Sequence, residues 1–162
     1  MKNSGFTLIE VLVSILILSV GVLGMTSMQM RALASNRDAL LRIEASQIAT
    51  DFIDRIESND GSTYGPIALG DEPASVTDCA LNDCSPVAMV AYDTTQWLCS
   101  INSEDTDGSQ YPACDDLGIV GTLPSGKASI ATIGDEYAIK VQWSEVKTNK
   151  TSSVQLFMQV PI

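Results

Sequence analysis

The chain has 162 residues and a formal net charge of −11, enough length for one domain with a modest core plus an appended segment. That charge argues against nonspecific binding to nucleic acid, so no direct nucleic-acid partner is expected. The chain has no histidine and lacks the P-loop, zinc-protease, nucleophile-elbow and dinucleotide motifs. We therefore predict that it is not an enzyme and that it carries no cofactor and no metal.

An apolar segment, residues 6–25, lies near the start of the chain. As a helix it would span roughly 30 Å, the thickness of the hydrocarbon core of a bilayer. Glu10 lies within it, and the first basic residue after Glu10 is Arg31. An ionisable side chain in a membrane helix indicates a functional site with a partner. Nothing nearby in the chain can pair with Glu10, so its partner is expected to be another molecule or an amine created by processing.

A cleavable secretory signal is the alternative interpretation, because Ala32, Leu33 and Ala34 form an A-x-A site. Arg31 and the polar stretch 26–29 separate that site from the apolar run, and Glu10 disfavours insertion, so we favour a retained helix. Positive charges lie on both sides of it and do not fix its orientation. The four cysteines belong in an oxidising compartment, which predicts a cytoplasmic N-terminus and a periplasmic remainder.

The sequence Gly5-Phe6-Thr7-Leu8-Ile9-Glu10, after a short basic leader and before the apolar helix, resembles the type III signal of type IV pilins and type II secretion pseudopilins. The resemblance implies that a prepilin peptidase cuts after Gly5 and methylates the new amine of Phe6. It also implies that Glu10 attracts the amine of a neighbouring subunit during assembly. The implied parts are a leader (1–5), a transmembrane and assembly half (6–28) and a periplasmic globular domain (29–162). The protein would reside in the bacterial inner membrane and then in the surface pilus.

The helical pattern continues beyond the membrane segment. Apolar residues recur at three-, four- and eight-residue steps and form one stripe: Leu33, Leu41, Ala45, Ile48, Ala49, Phe52 and Ile56. Arg55 and its polar neighbours are assigned to the other faces. One helix over residues 6–58 would be roughly 80 Å long. The sequence Asn59-Asp60-Gly61 is expected to end it.

Four cysteines, Cys79, Cys84, Cys99 and Cys114, have the spacing C-x4-C-x14-C-x14-C. Without a C-x2-C pair or a histidine, this spacing disfavours zinc and predicts two disulfides. Three connectivities are possible. We favour Cys79–Cys84 and Cys99–Cys114, because closing short loops needs the least long-range order.

A second helix is predicted over residues 86–102, with Trp97 in the core. Residues 103–121 read as an acidic loop. Its start is similar to a calcium-binding EF-hand loop, but Ser103 and Cys114 occupy the first and twelfth positions, where acids are needed. A solvated loop is therefore the favoured interpretation.

Three strands are predicted at the end of the chain, at residues 127–133, 137–143 and 153–160, with short turns at 134–135 and 147–150. Alternating apolar residues give the second and third strands one face each for the core. The predicted fold class is α+β and type IV pilin-like: a long N-terminal helix packed on a small antiparallel sheet, with disulfide-clipped loops.

Further stretches resemble the PilV family of minor pilins, the type IV pilus modification proteins. They are 49–56, Asn59, Tyr64, Asp93 with Trp97, 123–126 and 137–143. The resemblance implies a low-abundance subunit that primes pilus assembly at the tip, in adhesion, twitching motility and DNA uptake. The implied partners are the other minor pilins, the major pilin and a PilY-type tip adhesin.

Two alternatives remain open. The same signal and fold suit a minor pseudopilin of type II secretion. From another class, a membrane-anchored periplasmic module could use its acidic loops to bind calcium or a cationic ligand.

Overall fold

The computed structural model describes residues 5, 7–59, 62–145 and 150–159. Its regular elements, in chain order, are α1 (Leu8–Ser58), α2 (Pro86–Ile101), α3 (Pro112–Asp116), β1 (Lys127–Ile133), β2 (Glu136–Ser144) and β3 (Thr151–Gln159). The chain divides into two compact units, one ending at Arg37 and one starting at Asp38, and α1 contributes residues to both. The predicted α+β fold, with its long helix, small antiparallel sheet and two disulfides, is confirmed.

The first unit contains residues 8–37 of α1. Its large apolar side chains are 46 to 80% exposed. Among the described residues, α1 is one helix long and apolar enough to cross a membrane by length and composition, with a mean hydropathy of 2.5 over its best window. The predicted start at Phe6 lies outside the described residues, and the helix begins at Leu8.

The second unit is built around the last four turns of α1. Ala45, Ala49, Phe52 and Ile56 are completely buried there, at the four- and three-residue steps of one helix face. The predicted stripe is wrong at Leu33, which lies in the first unit and is 69% exposed. Helical periodicity places a residue on a face but does not say whether another element covers that face.

The second helix, α2, begins where its sequence predicts. Ser85 caps it by accepting a hydrogen bond from the Ala88 N–H at 3.2 Å, and Pro86 needs no partner at the first helical position. Trp97 is buried as predicted, and its Nε1–H donates to the Ile48 carbonyl at 3.2 Å. This bond ties α2 to α1 within the second unit.

The sheet is antiparallel with the order β1-β2-β3. The central strand β2 presents an almost completely buried row to the core: Tyr137, Ile139, Val141 and Trp143. All three strands lie within two residues of their predicted bounds. Val160 and residues 147–149 of the predicted second turn lie outside the described residues.

The prediction that residues 103–121 form a loop throughout is wrong in one place. The helix α3 spans Pro112–Asp116, with Pro112 in its first turn and Cys114 completely buried. Acidic residues before it and a glycine on each side made the sequence around this short helix resemble a loop. Its position depends on a disulfide to α2, which no local pattern reveals.

Candidate functional site

The start of α1 carries the predicted processing and assembly residues. Gly5 is exposed and Phe6 lies outside the described residues. Glu10 is exposed in the first turn, where its N–H donates to the Thr7 carbonyl at 3.1 Å. The helix dipole favours a carboxylate in that turn. Along α1 the next basic residue is Arg31, about 30 Å away at 1.5 Å per residue, so the two side chains cannot pair within one helix.

Three hydroxyl side chains in the apolar half of α1 donate hydrogen bonds to the helix backbone. Ser14 Oγ donates to the Glu10 carbonyl at 2.7 Å, and Thr26 Oγ1 donates to the Val22 carbonyl at 2.9 Å. Ser19 Oγ likewise donates to the Leu16 carbonyl at 2.8 Å. Hydrocarbon offers no partner to a free hydroxyl, so these bonds suit the helix surface to lipid or to other apolar helices.

A buried polar cluster lies at the other end of α1, in the second unit. Asp93 of α2 is only 5% exposed. Its Oδ1 lies 3.3 Å from Arg55 Nη1, and its Oδ2 accepts a hydrogen bond from the Tyr64 hydroxyl at 2.7 Å. Arg55 also pairs with Asp51, with Nε 2.8 Å from Oδ2, and contacts the Gln96 side-chain oxygen. Asp93 is therefore neutralised and hydrogen-bonded, as a buried charge requires.

The contacts in this cluster shift the pKa values of Tyr64 and Arg55. Burial raises the pKa of the Tyr64 hydroxyl above its usual range, the hydrogen bond with Asn59 lowers it in part, and the neighbouring Asp93 raises it again. Burial alone would lower the pKa of Arg55, but its bonds to Asp51 and Asp93 more than offset this and raise it. Tyr64 thus stays neutral and Arg55 stays charged.

Aromatic rings surround the cluster on its core side. Phe52 of α1 stacks on Trp97 of α2 with ring centroids 4.2 Å apart, and it meets Tyr64 edge-on at 5.6 Å. The Tyr64 N–H donates to the Tyr137 hydroxyl of β2 at 3.2 Å. The cluster therefore joins α1, the segment after it, α2 and the sheet.

The cluster and the aromatic rings around it bring together residues from separate PilV-like stretches of the sequence: Arg55, Tyr64, Asp93 and Trp97. Arg55 was assigned to a polar face, but its side chain is only 28% exposed. The cluster could have been inferred from Asp93, because Asp93 occurs on the apolar face of a predicted helix and a buried carboxylate needs a cation. The sequence did not indicate which of its arginines supplies that cation.

The structure contains the two disulfides favoured from loop length. Cys79–Cys84 is half-buried and closes the loop directly before α2. Cys99–Cys114 is completely buried and joins α2 to α3. Each therefore fixes one end of α2.

The acidic loop organises its own turn. Asp105 Oδ1 accepts hydrogen bonds from the backbone N–H groups of Asp107 at 2.8 Å and Ser109 at 3.0 Å, and Gly108 adopts a φ of +80°. Within the described ranges, no three acidic or cysteine side chains lie close enough to hold a metal ion.

Comparisons with known proteins match the chain in two consecutive parts. The prokaryotic N-terminal methylation motif matches residues 1–26, and the family described as type IV pilin Tt1218 matches residues 27–95. Comparisons with curated proteins and with solved structures gave no match. The two matches, the apolar helix and the small antiparallel sheet show that residues 27–95 resemble a type IV pilin, that residues 1–26 carry the prepilin N-methylation motif and that the fold is type IV pilin-like.

Proposed function

We propose that this pilin is a PilV-like minor subunit that primes pilus assembly and lies at or near the pilus tip. One observation carries the proposal: the PilV-like stretches of the sequence meet where Arg55 and Tyr64 bond to Asp93 and where Phe52 stacks on Trp97. Residues that lie far apart in the sequence thus form one packing unit, which supports a resemblance of structure as well as of local sequence.

The processing residues are proposed from the same family. Prepilin peptidase would cut after Gly5, leaving residues 6–28 as the membrane and assembly half and 29–162 in the periplasm. The new amine at Phe6 would then meet Glu10 of a neighbouring subunit. Glu10 lacks a basic neighbour along α1, and opposite charges attract strongly in an apolar surrounding once their desolvation is offset.

Assembly would draw on the exposed apolar surface of α1. Its large apolar side chains in residues 8–30 are exposed and none belongs to the described core, so their burial is expected to come from lipid or from other subunits. Leaving the bilayer is favourable only when similar helices replace the lipid. Glu10 would then select the register of that packing.

Glu10→Gln tests the assembly role. We expect the variant to be cut, to remain in the membrane and to enter sheared pili several-fold less than the wild type, by immunoblot of both fractions. Asp54→Asn, which removes an exposed acid from the second unit, is the matched control and should enter normally. Normal incorporation of Glu10→Gln would contradict the role.

The minor-subunit assignment has its own test. Quantitative mass spectrometry of sheared pili should find this chain far below the main subunit, and its deletion should reduce the number of pili. Equal stoichiometry would contradict it. The methylation motif also suits a type II secretion pseudopilin, in which case deletion would impair secretion and leave pilus number unchanged.

The binding-module alternative is tested separately. Calcium titration of the purified chain, followed by thermal unfolding, should give no shift if the acidic loop only shapes its own turn. A saturable stabilisation would favour the binding module instead.

A further inference from the structure

We propose that the outer edge of β3 accepts an extended strand from a neutral or basic partner protein, with apolar side chains at every second position of that strand. The proposal concerns the second unit alone and does not depend on the minor-pilin assignment. It rests on four observations. Alternate backbone groups of β3 point away from β2, and β3 contains no charged residue and no proline. Its core-facing side chains are incompletely buried, and the second unit carries a net negative charge.

The hydrogen-bond pattern between β2 and β3 shows which backbone groups of β3 point away from β2. The Glu145 N–H donates to the Lys150 carbonyl at 2.8 Å, and these two residues continue the β2–β3 register. In an antiparallel ladder, hydrogen-bonded pairs occur at every second residue. Even-numbered residues 152–158 therefore bond to β2, while the N–H and C=O groups of odd-numbered residues 151–159 point away. The Ser144 N–H fits this phase, because it donates to Pro124 on the side away from β3 at 2.9 Å.

The β3 edge also lacks the usual protection. Its nine residues, Thr151–Gln159, include no charged residue and no proline, the features that natural edge strands use to prevent pairing. The opposite edge of the sheet differs, since Ile130 of β1 exchanges two backbone hydrogen bonds of 3.0 Å with Ile67. Among the described residues, β3 pairs with β2 alone.

The hydrophobic core is incompletely covered along the same edge. Val154, Leu156 and Met158 pack against the core but are only half-buried, whereas Ile139 of β2 is completely buried. On the outer face Phe157 is 57% exposed. An added strand with apolar residues at alternate positions would cover the exposed sides of the core-facing residues of β3 and of Phe157 on the outer face.

Charge selects the kind of partner. Residues 1–37 hold three basic side chains and one acidic, which leaves six basic and nineteen acidic side chains in residues 38–162. The second unit thus carries a formal charge of −13, and β3 itself carries no charge. A second copy would bring the same charge to the interface, whereas a basic or neutral partner is not repelled.

A peptide probe tests the edge on the full chain in detergent micelles. The probe has nine residues, with valine and threonine alternating and lysine at both ends, and its binding is followed by fluorescence anisotropy. We expect saturable binding with a Kd below about 1 mM, weakened by salt. A peptide of the same sequence with N-methylated backbone amides should not bind, because it cannot donate to the strand.

Gln155→Pro is the matched variant of the chain. It removes an outward N–H and leaves the bonds to β2, so it should weaken peptide binding at least about tenfold without loss of the fold. Because proline can still strain the strand, amide exchange on the unmodified chain gives a second readout. Added peptide should slow exchange at Ser153, Gln155 and Phe157, whose amides are open before it binds.

Three results would overturn the proposal. One is no binding up to about 1 mM. Another is binding that leaves the exchange of the odd-numbered amides unchanged. The third is a stable homodimer of the Gln155→Cys variant, cross-linked at that position, because a dimer would make the occupant a second copy. The four native cysteines are already paired and do not compete for the cross-link. None of these results bears on processing or on pilus incorporation.

Discussion

Two parts of the same helix meet opposite environments in this protein. Residues 8–37 of α1 expose their large apolar side chains, and the hydroxyls of Ser14 and Thr26 donate to the helix backbone. Residues 38–58 bury Ala45, Ala49, Phe52 and Ile56 completely and place Arg55 against a buried carboxylate. Both parts are helical, so secondary structure alone does not distinguish them.

The comparison teaches where each part obtains its stabilisation. The first part has apolar residues around most of its circumference, which suits lipid or a bundle of equal helices. The second part has a single stripe, which one sheet and one helix can cover. We therefore expect substitutions in the second part to lower the free energy of unfolding of the folded unit. Substitutions in the first part should affect assembly instead.

Phe52→Ala should give the largest effect on stability. It removes a completely buried ring that stacks on Trp97, and comparable truncations cost about 3–5 kcal/mol in the free energy of unfolding. Denaturant unfolding followed by tryptophan fluorescence measures this cost. Leu16→Ala in the first part is the matched control and should leave the transition unchanged. An equal loss in both variants would break the comparison.

Loss of the Cys99–Cys114 disulfide ranks next. The double serine variant opens a loop of sequence separation 15, for which loop entropy predicts about 3 kcal/mol. Removing Cys79–Cys84, with separation 5, should cost about 2 kcal/mol. Denaturant midpoints of the two double variants give the order. A larger loss for the Cys79–Cys84 variant would show that the buried link does not dominate the positioning of α2.

Asp93→Asn should destabilise the second part by about 2–3 kcal/mol, because Arg55 loses its buried counter-charge and Tyr64 loses a charged acceptor. Asp54→Asn makes the same chemical change at an exposed position of α1 and should stay within about 0.5 kcal/mol of the wild type. Thermal unfolding of both variants measures the difference. Equal midpoints would mean that the cluster contributes nothing to holding α2 against α1.

The smallest expected effect is a pH dependence at alkaline pH. The pKa of Tyr64 is raised in the folded state, so its stabilisation is present below about pH 10, the unfolded value, and is lost as the pH rises through the folded value. Stability should therefore fall above about pH 10. Tyr64→Phe should reduce that slope, although burial also raises the pKa of Tyr92 and Tyr111, which keep part of it. An unchanged slope would contradict this assignment.

Much of the fold could be predicted because its signals are local. The bounds of α2 follow from Ser85, Pro86 and a helical apolar pattern, and β2 follows from strict alternation. The disulfide pairing followed from the preference for short loops. The place of Leu33 in the buried stripe was mispredicted because burial depends on whether a distant element covers that face. The helix α3 was missed because its position depends on a disulfide.

The amino-acid sequence by itself determined the apolar helix, the methylation motif, the stripe from Leu41 to Ile56 and the three alternating strands, since each depends on neighbours within a few residues. Only the tertiary structure decided that Arg55 is the partner of Asp93 and that Tyr64 completes the pair. It alone decided that β3 lies at an open edge of the sheet. Pairing between distant segments depends on the packing of the whole unit. A local sequence pattern therefore does not indicate which distant residue pairs with a buried charge or which strand lies at the edge of a sheet.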